Sequence, residues 1–210
     1  MENPVLIFGA GTLGLTALDI FQRNNVVVYG LLDDDKTLHG QEFGAVSVLG
    51  DTDDDGFLKL IGPKTESFVA IGDARVRRKL VKLLNERRKT QPVNAIHDTA
   101  TVSELATLGH GNLVAARVII NPMVTVGQHC LLLAGAILDT RAILADYVLV
   151  GPGAVINAGA VLEEGVYVGT GAVIISGVTV GKNARIGAGS VVVENVAANA
   201  TVFGNPATAV

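Results

Sequence analysis

Tryptophan is missing from this chain, and aromatic residues make up only 4% of its 210 residues. With 49% hydrophobic residues, any core must be built from aliphatic side chains. There is one cysteine, Cys130, so no disulfide can form within the chain and a reducing compartment is its natural setting. Cys130 lies two residues before Leu132 and reads as small core filler rather than a reactive thiol. Neither a secretory leader nor an apolar run long enough to cross a membrane is found. The expectation is a cytoplasmic protein with no membrane partner. Basic residues are outnumbered 16 to 20, for a net charge of −4, which argues against nucleic acid as a partner. The acidic run Asp51–Asp55 lacks the regular spacing and closing Glu of a calcium loop. It reads as a helix start, and no metal is expected.

What the chain does have is a period. From Ile96 to Val192 every sixth residue is Ile, Leu or Val, 17 positions without a miss. A period of six fits neither a helix nor an alternating strand as the outer repeat. It fits a short strand and a turn, repeated, three such units making a triangular coil of about 18 residues in a parallel β-helix. Two residues before each aliphatic position the side chain is small or β-branched, as at Ala136, Ala142, Val148, Ala154 and Ala160. That position also points inward. Just after the aliphatic residue Gly or Asn is frequent, as at Gly109, Asn121, Gly127, Gly151, Gly169, Gly181 and Gly187. These are expected to form the corners through positive φ.

The first ninety residues follow another grammar. Residues 4–8 read as a buried strand, followed at once by Gly9-Ala10-Gly11-Thr12-Leu13-Gly14 and a helix marked by Leu15, Leu18 and Phe21. A second strand, 26–32, closes on Asp33-Asp34-Asp35. Strand, Gly-x-Gly-x-x-Gly, helix, strand and acid is the order of a dinucleotide-binding fingerprint. The glycines let the backbone approach a diphosphate at a helix N-terminus, and the carboxylates can accept from a ribose or base. A tight strand-to-helix turn that binds nothing is the alternative. A full dehydrogenase needs more strands than this segment supplies. Further strands are expected at 46–49, 68–71 and 93–96. A helix at 74–89 is expected to bury Val76, Leu80, Leu83 and Leu84 and to present a solvated basic face. The domains are placed at 1–93 and 94–210.

A small Rossmann-like domain before a hexapeptide solenoid resembles the bacterial sialic acid O-acetyltransferase-like family, which includes the UDP-amino-sugar N-acetyltransferases. The resemblance rests on Phe8-Gly9-Ala10-Gly11, Leu32-Asp33-Asp34-Asp35, Leu38-His39-Gly40, Val48-Leu49-Gly50-Asp51, Ala70-Ile71-Gly72-Asp73, Ile96-His97, Ile120-Asn121-Pro122 and Gly204-Asn205-Pro206-Ala207. It implies an α/β N-terminal domain and a left-handed β-helix, assembled as a homotrimer. It also implies acetyl-CoA as co-substrate and a nucleotide sugar, such as a UDP-amino sugar, as acceptor. The nucleotide sugar would bind at Gly9, Gly11, Thr12, Leu13, Asp33 and Asp34. The acetyl-CoA would lie along later coils at Gly169, Thr170, Gly187 and Ala188.

The chain departs from the family where the chemistry is expected. The family's Gly-Gly-His stands here as Gly11-Thr12-Leu13. Its Gly-Ala-x-Val-Asp-His-(Asp/Glu)-Cys stands as Gly135-Ala136-Ile137-Leu138-Asp139-Thr140-Arg141-Ala142. Thr140 therefore takes the position of the catalytic His beside Asp139, and a hydroxyl cannot replace imidazole as a base near neutral pH. A second family His is Leu149 here. Three readings stay open: an acetyltransferase working on an amino or hydroxy group without that His, a trimeric sugar-nucleotide-binding scaffold that has lost catalysis, or a transferase with a different acyl donor or a base relocated to His129. His129 lies 11 residues before Thr140, not a whole number of coils, and so belongs on another side of the prism.

Overall fold

The computed structural model describes residues 3–210, which form two units divided between Asp98 and Thr99. In the first unit the strands are β1 (Val5–Phe8), β2 (Val28–Leu32), β3 (Glu42–Phe43), β4 (Val46–Gly50) and β5 (Glu66–Val69). They form one sheet in the order β3-β4-β2-β1-β5. All pairings are parallel except β3 with β4. Every residue of β1 is buried, because β1 lies between β2 and β5 and helices cover both faces.

Helix α1 (Thr12–Arg23) buries Ala17, Leu18, Ile20 and Phe21. Phe21 meets Phe68 edge-on, with ring centroids 5.7 Å apart. On the opposite side of β1, Leu6 and Phe8 pack with Leu32, Val69, Leu58 of the short α2 (Asp55–Leu58), and Leu80, Val81 and Leu84 of α3 (Ala74–Arg88). The acidic run does start a helix: the Asp54 side chain accepts from the Gly56 N–H at 2.6 Å. A last short strand, β6 (Ala95–Ile96), is tied to the end of α1, where Asn24 Nδ2 donates to the Ile96 carbonyl at 2.8 Å. Arg23 grips Asp98 through two bonds of 2.9 Å, and His97 Nδ1 lies 2.8 Å from the same carboxylate.

Helix α3 buries Leu80 and Leu84 of the expected stripe and packs Leu83 against the same core, but not Val76. Val76 is 44% exposed, while Arg77 is fully buried together with Val81. The Arg77 guanidinium donates through Nη1 to the carbonyls of Ile71 and Gly72, at 2.5 and 3.0 Å. These carbonyls follow β5 and need donors that no strand supplies. A long side chain with a polar head meets the need while its stem packs in the core. The basic face is not simply solvated either. Arg87 pairs with Asp55 at 2.8 Å, and Arg88 donates to the carbonyls of Ile61 and Lys59.

The second unit is a parallel β-helix of two-residue strands on three faces. Face one stacks Thr101–Val102, Ile119–Ile120, Ile137–Leu138, Val155–Ile156, Val173–Ile174 and Val191–Val192. Face two stacks Thr107–Leu108, Thr125–Val126, Ile143–Leu144, Val161–Leu162 and Thr179–Val180. Face three runs from Leu113–Val114 through Leu131–Leu132, Leu149–Val150, Tyr167–Val168 and Arg185–Ile186 to Thr201–Gly204. The antiparallel strand Ala207–Ala209 ends that face. Partners across the ladders are 18 residues apart, as Ile119 with Ile137, except at the end of face three, where Arg185 pairs with Thr201. The sixth-residue aliphatics from Val114 to Val192 are all buried, as are the small residues two before them, such as Ala136, Ala142 and Ala154. Cys130 occupies one of these small inward positions, fully buried.

The corners correct one expectation. Positive φ falls three residues after the aliphatic position, not one: Gly111, Arg117, Met123, His129, Gly135, Arg141, Tyr147, Gly153 and onward at every sixth residue to Gly189. The glycines directly after the aliphatic residue serve packing instead. A Cβ on Gly169 would lie 2.6 Å from the Ala188 nitrogen, and one on Gly151 2.7 Å from the Thr170 nitrogen. Each stands where the next coil's backbone passes over it.

Candidate functional site

In the first unit the glycine loop joins β1 to α1, and its three glycines do three jobs. Gly9 has φ +108°, and a Cβ there would lie 2.8 Å from the Ala70 carbonyl oxygen. Gly14 faces the Gly9 carbonyl so closely that any side chain would overlap it, which seats α1 on the strand. Gly11 has no atom within 4 Å of where a Cβ would be, and it caps α1 without a side-chain hydrogen bond. The first residues of α1 thus offer open backbone, with the positive end of the helix dipole behind it. Thr12 is exposed there and Leu13 half-buried.

The acid run lies at the C-terminal end of β2, beside this loop. Asp33 Oδ2 accepts from the Ala10 N–H at 2.7 Å and Oδ1 from the Asp35 N–H at 3.0 Å. Asp34 Oδ1 accepts from both the N–H and the hydroxyl of Thr52, at 2.8 and 2.7 Å. The Thr37 hydroxyl and N–H hold the Asp35 carboxyl below the usual carboxylate range. His39 Nε2 lies 2.7 Å from the Asp33 carbonyl oxygen and 3.7 Å from Asp51. The acids are therefore braces as well as acceptors. Asp33 fixes the glycine loop, and Asp34 ties β2 to the residues after β4. Ala10 lies within the glycine motif and Thr52 outside any motif, and their part in these braces is seen only in three dimensions.

On the solenoid, Thr140 lies at the corner between faces one and two. Asp139 precedes it and is half-buried. Its Oδ1 accepts from Asn121 Nδ2 at 3.1 Å and from the Thr140 N–H at 2.7 Å. Asn121 is one coil below Asp139 and Asn157 one coil above, so the three form a polar ladder. The spacing of 18 could have revealed Asn121 in the sequence. Gly169, Thr170, Gly187 and Ala188 come together on the corner between faces three and one, in adjacent coils. There Gly189 donates its N–H to the Thr170 carbonyl at 2.8 Å. Thr140 and this Gly/Ala edge border the same face, whose outward residues after Thr101 are aliphatic: Ile119, Ile137, Val155, Val173 and Val191.

His129 lies on the third corner, between faces two and three. It is 2% exposed with φ +56°, and its ring stacks on Tyr147 at 5.1 Å. A Cβ on Gly111 would run into the same imidazole. The ring is thus wedged between two coils, on an edge that does not carry Thr140. Among the described residues no group of His, Cys, Asp or Glu could hold a metal ion, and no helix is long and apolar enough to cross a membrane.

Comparison with known proteins matches residues 4–84 to the PglD N-terminal domain and residues 159–193 to the bacterial transferase hexapeptide family. A search of curated proteins gives no match. Among solved structures, a His-to-Asn mutant of perosamine N-acetyltransferase from Caulobacter crescentus, in complex with CoA and GDP-perosamine, is 30% identical. That match has a TM-score of 0.90 and covers 100% of this chain and 98% of the other. The acetyltransferase domain of PglB from Neisseria gonorrhoeae FA1090, in complex with acetyl coenzyme A, is 26% identical with a TM-score of 0.91, covering 100% of both chains. WeeI from Acinetobacter baumannii AYE is 26% identical with a TM-score of 0.86, again over 100% of both. With these neighbours the hand of the solenoid follows: it is a left-handed β-helix. An α/β unit bearing a nucleotide-type glycine loop, followed by a hexapeptide prism and matched end to end, places this chain in the family of hexapeptide-repeat sugar N-acetyltransferases with a PglD-type N-terminal domain.

Proposed function

We propose that the chain transfers the acetyl group of acetyl-CoA to the amino group of a nucleotide-linked amino sugar. The observation that carries this is the likeness along the whole chain to an N-acetyltransferase solved with CoA and GDP-perosamine. On this reading the N–H groups of Gly11, Thr12 and Leu13 receive the diphosphate of the sugar nucleotide. Asp33 and Asp34 keep lone pairs for ribose or base donors, since an ionised carboxylate has about four acceptor sites. The acetyl-CoA runs along the edge of Gly169, Thr170, Gly187 and Ala188, where small side chains leave the backbone open. The protein works as a cytoplasmic homotrimer and needs no metal.

Thr140 stands in the place of the family's His. General-base help is worth about 10²–10⁴-fold, so the reaction leans on positioning and on an amine that has already shed its proton. A second reading, a trimeric sugar-nucleotide binder without catalysis, is favoured by the joint presence of Leu13, Thr140, Arg141 and Leu149 at family His and acid positions. A base relocated to His129 would have to come from a neighbouring subunit.

The test is thiol release from acetyl-CoA with UDP- and GDP-linked amino sugars as acceptors. Release above the acceptor-free blank is expected with at least one. No release with any acceptor, from wild type or from Thr140→His, rules out the transferase. Calorimetric binding of UDP and GDP, weakened by Asp33→Ala, checks the nucleotide site by itself; unchanged binding would remove Asp33 from it.

A further inference from the structure

We propose that Asp139, not Thr140, takes the proton of the acceptor amine in this chain. The inference rests on the transferase reading above and gives one of its residues a role. On the Thr140 edge the ladder residues beside Asp139 are Asn121 and Asn157, which do not titrate. Asn157 is committed, its Nδ2 donating to the Ile174 carbonyl at 2.8 Å. Pro122, Ala158 and Ser176 occupy the rungs equivalent to Thr140, and Met123, Gly159 and Gly177 those equivalent to Arg141. Arg141 is exposed and always charged. This leaves one carboxylate as the only group on these central rungs able to receive a proton.

Its geometry suits the task. Both hydrogen bonds of the Asp139 carboxylate to the described residues fall on Oδ1, from Asn121 Nδ2 and from the Thr140 N–H. Oδ2 accepts none among the described residues. One oxygen is thus clamped, which fixes the plane of the carboxylate, and the other is left for a donor from outside the chain.

The chemistry does not need a strong base. The acceptor amine arrives neutral, its ammonium proton already given to solvent. Its lone pair forms the N–C bond to the thioester carbon, and the carbonyl π pair moves onto oxygen. Nitrogen then carries a positive charge and its proton becomes acidic, so a carboxylate can remove it. The proton passes to Asp139 Oδ2. Collapse of the oxyanion re-forms C=O and breaks C–S, and the departing CoA sulfur takes the proton back from Asp139. The carboxylate is restored, and the products are amide and thiol.

Asp139→Asn isolates this role. Its amide oxygen can still accept from Asn121 and from the Thr140 N–H, so the clamp stays while the proton acceptor is lost. Steady-state kinetics with acetyl-CoA and the best nucleotide amino sugar should show kcat falling by about 10²-fold or more, with KM for both substrates unchanged within about twofold. A purely structural Asp139 would raise KM or lower thermal stability instead. The double variant Asp139→Asn/Thr140→His should regain most of the lost kcat, because imidazole then supplies the base, with a new inflection in the pH profile near the imidazole range. Wild-type activity that Asp139→Asn leaves intact overturns the proposal and spares the transferase. Loss of kcat that the added His does not restore also overturns it. Thr140→His active where wild type is not overturns the proposal while keeping the acetyl-transfer site. Inactivity of all variants removes both.

Discussion

Gly169 and Gly171 lie two residues apart in one corner and are glycine for different reasons, so alanine at each separates two kinds of cost. At Gly169 the backbone is not left-handed, but a Cβ would lie 2.6 Å from the Ala188 nitrogen, 2.8 Å from the Gly187 carbonyl carbon and 2.9 Å from the Ala188 Cα. All three are backbone atoms of the next coil, and that coil is hydrogen-bonded on both sides, Gly169 N–H to Ile186 O at 2.9 Å and Gly187 N–H to Val202 O at 2.8 Å. The neighbour cannot move without stretching the ladder. Overpacking of this kind costs about 3 kcal/mol, the upper end of its usual range. At Gly171 a Cβ meets nothing within 4 Å, but φ is +65°. The left-handed conformation costs an L-residue about 1–2 kcal/mol, and Arg117, Arg141 and Asn183 already bear that cost at equivalent corners. Both variants stiffen the unfolded chain equally, so that gain cancels in the comparison. Gly169→Ala should therefore be the less stable by about 1–2 kcal/mol, or about 2–8 °C in melting temperature at the usual conversion for a chain of this length. Thermal and urea unfolding followed by circular dichroism measure it. A Gly171→Ala protein as unstable as Gly169→Ala, or more so, would refute the assignment of the first glycine to coil contact.

Two further outcomes concern the first unit. The Asp73 carboxylate caps α3, accepting from Val76 and Arg75 N–H, and these bonds hold its carboxyl below the usual range. A lowered folded-state pKa means the stabilisation is present above the unfolded value, about 4, and is lost as pH falls through the folded value. Asp73→Ala should cost about 1 kcal/mol at pH 7, and the gap to wild type in urea unfolding should narrow below about pH 4; a gap that widens there contradicts the cap. Arg77→Ala leaves the Ile71 and Gly72 carbonyls without their donor and empties a buried volume, so it should destabilise by about 3 kcal/mol. Arg75→Ala, on the same helix but without that bond, should stay within about 0.5 kcal/mol; equal losses for the two would contradict the buried role of Arg77.

The solenoid was legible because its geometry has one period and the side chains that obey it are the inward ones. Leu138 and Ala136 could be placed from spacing alone. Its glycines were legible as necessary but not as to why: a residue required by φ and a residue required by a neighbouring coil look alike in one sequence. Only the angles place the turn at Gly135 and Arg141 rather than at Gly151. In the first unit the fingerprint gave Gly9, Gly11 and Asp33 from spacing, yet not that Asp33 is spent partly on Ala10. Helix α3 misled in a simple way. Hydrophobicity favoured Val76 for the core, while two carbonyls following β5 drew in Arg77, and carbonyl positions leave no mark in a sequence. At the solenoid edge the residue types at Asp139 and Thr140 were plain, but the clamp on one oxygen of Asp139 became visible only once Asn121 was seen one coil below.

The six positions of a hexad are not equal before selection. Two face the core, the one directly after the aliphatic residue lies close under the next coil's backbone where it is Gly, as at Gly151 and Gly169, and one turns the chain left-handed. The position two after the aliphatic residue answers to none of these demands: Pro122, Thr140, Ala158 and Ser176 fill it in consecutive coils of one edge. A side chain on such a rung, Thr140 among them, can change without disturbing the core, the coil contacts or the turn, so this architecture separates inheritance of shape from inheritance of chemistry at the level of single residues.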